Sequence, residues 1–425
     1  MDTVKSDLTI IGSGMTGMSA ALFAAERNID TALVGSTSGS MFASGYIDLL
    51  GVHPLQERRI WENPWEGIAA LCRDNPRHPY ARLTLQDIRS AFDHILSFLE
   101  DAGLFYRRRL ESNCRTITPM GTLKTTYCIP QTMWNGVRAL EEKNSCLLVG
   151  IRGLKGFSAK QIASVLHHKW PDLHTARISF PEMGHLEEVY SEALARSLSI
   201  ETNREKFAAI IRPLAENVSC VGLPAILGVS DSHAVAADLA DKIGKTIFEI
   251  PTMPPSVPGL RLKETFEHQL PRKGVQLFNQ QRVLKIHSLP DGYYTLDVGS
   301  KDVDFTLETR GIILATGRFI GGGLRADRNR IRETVFDLPV SQPSDRRLWH
   351  RRDFLDSRGH PLNLSGLEVD DDFKPLDKSA RPAYPNLCAA GSILAHQDWM
   401  RMKCGSGLAI ATAHGAVKAF MKCSG

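Results

Sequence analysis

Apolar residues in this chain come in short blocks divided by polar turns, and the block lengths alternate. Asp7-Leu8-Thr9-Ile10-Ile11 is a brief apolar run that predicts a buried strand, and the alanine-rich stretch Met18 to Arg27 behind it predicts a helix. Thr31-Ala32-Leu33-Val34 reads as a second buried strand. Leu85 to Ala102 places Ile88, Phe92, Ile95, Leu96 and Leu99 on one helical face. Beyond it, strands are predicted at Cys146 to Ile151, Val218 to Gly222 and Thr246 to Ile250. Helices are predicted at Ser158 to Trp170, with Ser158 as N-cap, and at Ala234 to Lys242. Pro251 to Gly259 reads as a stiff extended segment. Tyr293 to Val298 and Val303 to Leu307 alternate as a hairpin feeding a strand at Gly311 to Leu314. The chain closes with a short strand, Asn386 to Ala389, and a helix, Leu408 to Met421. Strands alternating with helices predict an α/β fold.

Glycines punctuate three of these strands. After the first comes Gly12-Ser13-Gly14-Met15-Thr16-Gly17 and then the helix, the order that opens a Rossmann-type nucleotide-binding fold. Gly12 permits the tight turn, Gly14 the approach of a phosphate, and Gly17 close packing of helix on strand, with helix amides facing the anion. Gly12, Ser13, Gly14, Thr16 and Gly17 are therefore candidate cofactor contacts. The second such strand ends in Ala315-Thr316-Gly317 and the third in Ala389-Ala390-Gly391, followed by Cys404-Gly405-Ser406-Gly407 opening the last helix. Thr316, Gly317, Gly391, Gly405, Ser406 and Gly407 join the candidates, and this three-part pattern is that of a flavoprotein. The last turn would supply positive partial charge from helix amides; Ser44-Gly45 would line the flavin on another side, or both would be caps only. The expected division is a nucleotide-binding domain made of residues 1–60 and 265–425, interrupted by an inserted α/β domain, 61–264.

The second strand ends in Gly35-Ser36, where a dinucleotide-binding chain usually carries Asp or Glu for the ribose; Asp30 lies at the strand's other end. The missing carboxylate favours FMN, with FAD as the alternative.

Composition narrows the class further. The chain has 425 residues, 43% hydrophobic and 23% charged, ordinary for a globular protein of one large or two intermediate domains. No apolar run approaches the roughly 18 residues of a membrane span, and no leader precedes the first strand, so a soluble cytoplasmic protein is expected. The net charge of +4 does not argue for nucleic acid, despite Arg346-Arg347 and Arg351-Arg352 around Trp349. The eight cysteines lack any C-x-x-C spacing, so neither an iron–sulfur cluster nor another metal site is expected in this chain. His167-His168 has no ligand partner nearby, and His414 within the last helix is packed or surface-exposed.

Several longer segments are more distinctive. They are Phe42-Ala43-Ser44-Gly45-Tyr46-Ile47-Asp48-Leu49-Leu50, Thr118-Pro119-Met120-Gly121-Thr122-Leu123-Lys124-Thr125, Pro251 to Val257 with Gly259-Leu260-Arg261-Leu262, Gly321-Gly322-Gly323-Leu324 and Arg328 to Glu333. On these the chain resembles, end to end, the B subunits of bacterial anaerobic glycerol-3-phosphate dehydrogenases. The resemblance implies an FMN protein working beside two others, an FAD-containing A subunit and a membrane-associated iron–sulfur C subunit. It implies oxidation of sn-glycerol 3-phosphate to dihydroxyacetone phosphate, with electrons passed to quinone during respiration on fumarate or nitrate. The chain itself would not insert in the membrane but would sit at its cytoplasmic face through the partners. One stretch departs from the family: Leu394-Ala395-His396-Gln397-Asp398-Trp399 stands where Gly-Gly-Phe-Asp is common.

His396 follows the strand–Ala-Ala-Gly turn and is the candidate base, or else a solvated loop histidine. Lys124 and Arg261, in the family-like segments, are candidate phosphate contacts, with Arg325, Arg328, Arg330 and Arg332 as a further anion patch. A solvated basic face or a docking surface for another protein of the complex would use the same arginines.

Overall fold

The computed structural model describes residues 3–35, 39, 43–289 and 292–424. Ser36 and Phe42, each part of a motif above, lie outside the described residues. Two compact units partition the chain: residues 1–39, 48–95 and 266–425 form the first, and 40–47 with 96–265 the second. Residues 61–95, expected in the insertion, group with the first unit. Helix Pro64–Asp74 there is capped by Asn63, whose side chain accepts from the Trp65 and Glu66 amides.

The first unit is built on a seven-stranded sheet among the described residues. Its order is Gln276–Asn279, Thr31–Gly35, Thr3–Ile11, Phe305–Leu314, Tyr294–Gly299 and Arg282–Ser288, with Leu387–Ala389 also paired to Phe305–Leu314. Thr3–Ile11 runs parallel to both neighbours, and Leu387–Ala389 runs parallel to Phe305–Leu314. The pairing Val34–Ile11–Leu314–Ala389 brings four strands to a common carboxyl edge. Such strands are buried on both faces, which is why Leu8, Ile10, Leu33, Ile312 and Ile313 belong to near-continuous apolar runs.

The hairpin's second arm and the second cofactor strand, expected as separate pieces, are one strand. Phe305–Leu314 pairs antiparallel with Tyr294–Gly299 over its first half and parallel with Leu387–Ala389 over its second. Gly311 lies within this strand because a β-carbon there would stand 2.4 Å from the Phe420 ring of the C-terminal helix. That helix, Gly405–Ser424, packs on the N-terminal helix Met15–Ala25.

The second unit has a parallel sheet of its own, in the order Thr246–Ile250, Cys220–Pro224, Cys146–Ile151, Leu173–Ile178. Leu147, Val149, Val221, Leu223 and Ile247 pack on one side with Leu194, Phe207 and Leu239. Cys146, Leu148 and Phe248 pack on the other with Ile162, Leu166 and Trp170. Ser158 caps helix Ala159–Leu166 by accepting from the Gln161 amide at 3.3 Å. Only part of Pro251 to Gly259 is extended, since helix Val257–Arg272 begins inside it with proline at its second position, where no amide is needed.

Candidate functional site

Three glycine turns meet at the carboxyl edge of the first unit's sheet, the place where open α/β sheets bind ligands. Gly12 leaves the first strand at φ +118°, and a β-carbon on it would stand 2.3 Å from the Ala315 carbonyl oxygen. Its amide donates to Val34 O at 2.7 Å, and the Ala315 amide donates to Ile11 O at 2.8 Å. The turn is thus locked between its two neighbouring strands. Gly17 lies against it: a β-carbon there would fall 1.7 Å from Gly12 O.

Gly14 behaves differently. It is the N-cap of helix Met15–Ala25 with no side-chain cap, and the first turn holds no acidic residue. A β-carbon on Gly14 would meet nothing within 4 Å. The helix therefore presents uncompensated amide dipoles to open space, an arrangement that attracts an anion. Buried Ser13 packs on Gly35, whose β-carbon position is 2.3 Å from Ser13 Oγ. No carboxylate stands at this end of the second strand through Gly35. Asp30 is at the other end, its carbonyl accepting from Asp7 N and Leu8 N.

The other two turns complete the edge. Gly391, at φ +78°, donates its amide to Thr412 Oγ1 at 2.8 Å and leaves room for Thr16, whose hydroxyl would be 2.1 Å from a β-carbon there. Thr316 keeps a buried hydroxyl with no hydrogen-bond partner among the described residues. Gly317 follows at φ +68°, with Gly321 and Gly323 folded back onto the Thr316 and Gly317 carbonyls. A buried orphan hydroxyl, an uncapped helix start and a cleared glycine together fit an anionic, hydrogen-bonding group. The Gly405–Gly407 turn is less open than the sequence suggests. The Gly407 amide donates to Asp48 O at 2.6 Å, and Gly405 is covered by the Trp399 ring, 2.9 Å from its β-carbon position. Ser406 lies between them at the helix start and is itself engaged.

His396 belongs to the same unit. It follows the 391 turn at φ +63°, is mostly buried, and its Nε2 lies 2.5 Å from Glu368 Oε1. Its carbonyl accepts from Asn75 Nδ2 at 3.1 Å, so the ring sits in a fixed loop rather than free in solvent. Glu368, 28 residues away, leaves no mark in the sequence. Nor does Arg318, immediately after the Ala-Thr-Gly turn, whose guanidinium bonds the Ser392, Leu394, Gln397 and Asn363 carbonyls.

The remaining candidates fall in the second unit. Gly45, at φ +84°, is pressed against Pro258, and its carbonyl accepts from Tyr106 OH at 2.8 Å; Ser44 precedes it. Lys124 holds its Nζ 5.5 Å above the Tyr46 ring. Arg261, a candidate phosphate contact, has its guanidinium engaged inside this unit. It is buried, its two terminal nitrogens donate to Glu249 at 2.7 and 2.9 Å, and Nε donates to Gly228 O at 2.9 Å. Glu249 also accepts from Thr132 Oγ1 and the Leu227 amide. Against the burial that would raise it, Arg261 and these donors hold the Glu249 carboxyl below its ordinary range. A cavity of about 550 Å³ in this unit, lined by Thr132, Asn135, His233 and Lys245 among others, contains none of the predicted site residues.

Other polar groups have structural places. His414 is buried against Arg27, 3.1 Å from its Nη2, and desolvation, with Arg27 and Lys418 nearby, pushes it down to about 4. His78 is fully buried, its Nδ1 accepting from the Tyr80 amide; desolvation, then His53 and His396, pushes it down to about 3. Arg325 and Arg332 pair across a small hairpin, with Arg332 3.5 Å from Asp327. Among the described residues no helix is long and apolar enough to cross a membrane.

Residues 7–408 match the family described as FAD binding domain. The chain belongs to that family. It is an α/β flavoprotein, and flavin is the group its glycine edge is expected to hold. It is 28% identical to the B subunit of the probable anaerobic glycerol-3-phosphate dehydrogenase of Halobacterium salinarum, covering 97% of each chain. It is 29% identical to the B subunit of the anaerobic glycerol-3-phosphate dehydrogenase of Vibrio vulnificus, covering 98% of this chain and 96% of that one. Among solved structures, a flavocytochrome c3 fumarate reductase in its open conformation aligns over 99% of this chain and 78% of its own, at 10% identity and a TM-score of 0.44.

Proposed function

We propose that this chain is a flavin-dependent subunit of a respiratory glycerol-3-phosphate:quinone oxidoreductase. It would oxidise sn-glycerol 3-phosphate to dihydroxyacetone phosphate and pass the electrons towards quinone in anaerobic respiration. The observation that carries this is the cleared, uncapped helix start at Gly14, on the same sheet edge as the Ala315–Gly317 turn. The end-to-end similarity to B subunits of anaerobic glycerol-3-phosphate dehydrogenases supports the substrate.

Gly12, Ser13, Gly14 and Thr16 would hold the cofactor phosphate by backbone amides, with Thr316, Gly317 and Gly391 along the adjoining edge. Ser406 at the C-terminal helix remains a candidate contact. The absence of a ribose carboxylate through Gly35 favours FMN over FAD. When bound, the flavin supplies acceptance of two electrons as hydride from the alcohol carbon. The chain's part is proton removal. With Nε2–H of His396 directed at Glu368, the ring keeps its lone pair on Nδ1, the atom that would take the substrate hydroxyl proton. Lys124 is the remaining candidate for phosphate recognition, now that Arg261 is committed to Glu249. The partners are an FAD-containing A subunit and an iron–sulfur C subunit, which would hold this chain at the membrane surface.

The test is mass identification of the flavin that co-purifies, then anaerobic titration of the isolated chain with glycerol 3-phosphate. Bleaching of the flavin band is expected, and His396→Gln should slow it at least ~100-fold. The occupied Arg261 favours one second reading, an electron relay whose substrate is oxidised on the FAD-containing partner. Bleaching by dithionite but not by glycerol 3-phosphate would establish that reading instead.

A further inference from the structure

The surplus positive charge of this chain is gathered in two segments of the first unit, around an apolar tip. Residues 324–333 and 345–360 hold nine arginines against Asp327, Glu333, Asp345, Asp353 and Asp356, a surplus of four that equals the formal net charge of the whole chain, +4. The segments are joined, since Arg346 Nη1 donates to the Arg328 carbonyl at 3.3 Å. Asp398 and Arg401, which reach Gly359, pair with each other at 3.2 Å and add no charge. All nine arginines are exposed. The acids hold Arg332, Arg347 and Arg358 in ion pairs, whereas Arg328, Arg330 and Arg352 are in none among the described residues.

Phe354 and Leu355, adjacent in the second segment, are each 86% exposed, and Leu348 is 55% exposed. The tip is held out by a built loop. Trp349 is buried at its base, with its carbonyl accepting from the Leu362 amide at 3.1 Å. His360 Nδ1 accepts from the Arg351 amide at 3.0 Å, which leaves the ring proton on Nε2 to donate to Phe354 O at 3.0 Å. Arg351 Nε closes the loop again on Gly359 O at 3.0 Å.

We propose that this loop docks on an anionic lipid surface: Phe354 and Leu355 enter the headgroup–acyl boundary, and the surrounding arginines bind lipid phosphates. The loop would lie in the interface and span nothing, a contact of this chain's own in addition to any made through partners. A bilayer suits the tip better than a protein does. Protein interfaces bury a broad core depleted of charge, whereas here two apolar side chains project from among arginines. Arginine stems are apolar and their heads charged, which matches a boundary that is apolar on one side and anionic on the other.

The test mixes the full chain with sedimenting vesicles of phosphatidylcholine, alone or in an equal mixture with phosphatidylglycerol. The readout is independent of flavin and substrate. Binding to the mixed vesicles should exceed binding to phosphatidylcholine about tenfold and weaken as salt is added. Phe354→Ser with Leu355→Ser should lower it about tenfold. Arg328→Ser, Arg330→Ser and Arg352→Ser together should remove most of the preference for anionic vesicles. These five side chains are exposed, so urea unfolding should match wild type. If the serine pair does not stay folded, Phe354→Trp decides alone: brominated lipid should quench its fluorescence beyond that of wild type, and equal quenching would refute the contact. No sedimentation with the mixed vesicles, or sedimentation unchanged in both sets of variants, would overturn the proposal. So would failure to bind vesicles together with loss of binding to the iron–sulfur C subunit in the serine pair, which would make the tip a protein contact.

Discussion

The main sheets of the two units treat polar groups in opposite ways near the carboxyl ends of their parallel strands. In the second unit, Glu249 stands one residue before the end of its strand and is saturated by Arg261, Thr132 and the Leu227 amide. A buried ion pair with its donors and acceptors filled has nothing left for a ligand. In the first unit, the corresponding edge leaves a helix start uncapped, a glycine facing open space and a threonine hydroxyl without a partner among the described residues. Burial without satisfaction is unfavourable in the free chain and is relieved when a ligand arrives. Charge alone would have pointed at Arg261; satisfaction points at Gly14.

The largest effect should come from breaking the saturated side. Arg261→Met leaves Glu249 buried and uncompensated, so urea unfolding should show a loss of about 3–5 kcal/mol. The pair replacement Arg261→Met with Glu249→Leu should recover much of it. A single variant that stays stable within about 1 kcal/mol yet loses binding of glycerol 3-phosphate would restore Arg261 as a ligand contact.

Two glycines of one turn sharpen the contrast next. Gly17→Ala forces a β-carbon into the Gly12 carbonyl, so the helix must shift, at about 1–3 kcal/mol or more, and flavin binding should be lost with it. Gly14→Ala meets no atom within 4 Å and sits at an unstrained φ of −78°. Its stability should stay within about 0.5–1 kcal/mol of wild type while flavin affinity falls about tenfold or more. Equal stability losses in both would mean that the space at Gly14 is not a ligand's.

These contrasts also mark what residues alone can tell. Glycine turns are legible because their spacing after an apolar run reports a backbone need, and the strands before them have the continuous apolarity of a sheet covered on both faces. Arg261 misleads because a sequence shows a charge but not its partner; Glu249 lies 12 residues upstream, on a strand. Arg318 escapes notice for the converse reason: its acceptors are carbonyls, which every residue has. Glu368 reaches His396 from a loop with no motif of its own. The fused strand Phe305–Leu314 reads as two pieces divided at Gly311, since a glycine there resembles a turn until Phe420 is seen occupying the missing side chain's place.

Two of the buried histidines of the first unit, His78 and His414, give a pH dependence that separates structure from site. His78 and His414, pushed down to about 3 and about 4, are neutral in the folded chain, whereas unfolded they titrate near their ordinary value of 6.5. Between those limits the unfolded chain binds more protons, so stability is complete above about pH 6.5 and falls as the pH drops. At pH 5 each should have given up about 2 kcal/mol. His414→Gln should remove its share of the slope in urea titrations between about pH 7 and pH 5; an unchanged slope would mean that this histidine is protonated in the fold.

The smallest effect tests the orphan hydroxyl directly. Thr316→Val keeps the branched shape and deletes an oxygen that has no partner among the described residues. In the cofactor-free chain the change should be neutral or stabilising by up to about 1 kcal/mol, since an unsatisfied buried group is removed. In the presence of flavin the sign should reverse, with affinity falling about fivefold through loss of one hydrogen bond. The reversal is the informative part. A merely misplaced hydroxyl would give the gain in both states, whereas one held ready for a ligand gives the gain only while the ligand is absent.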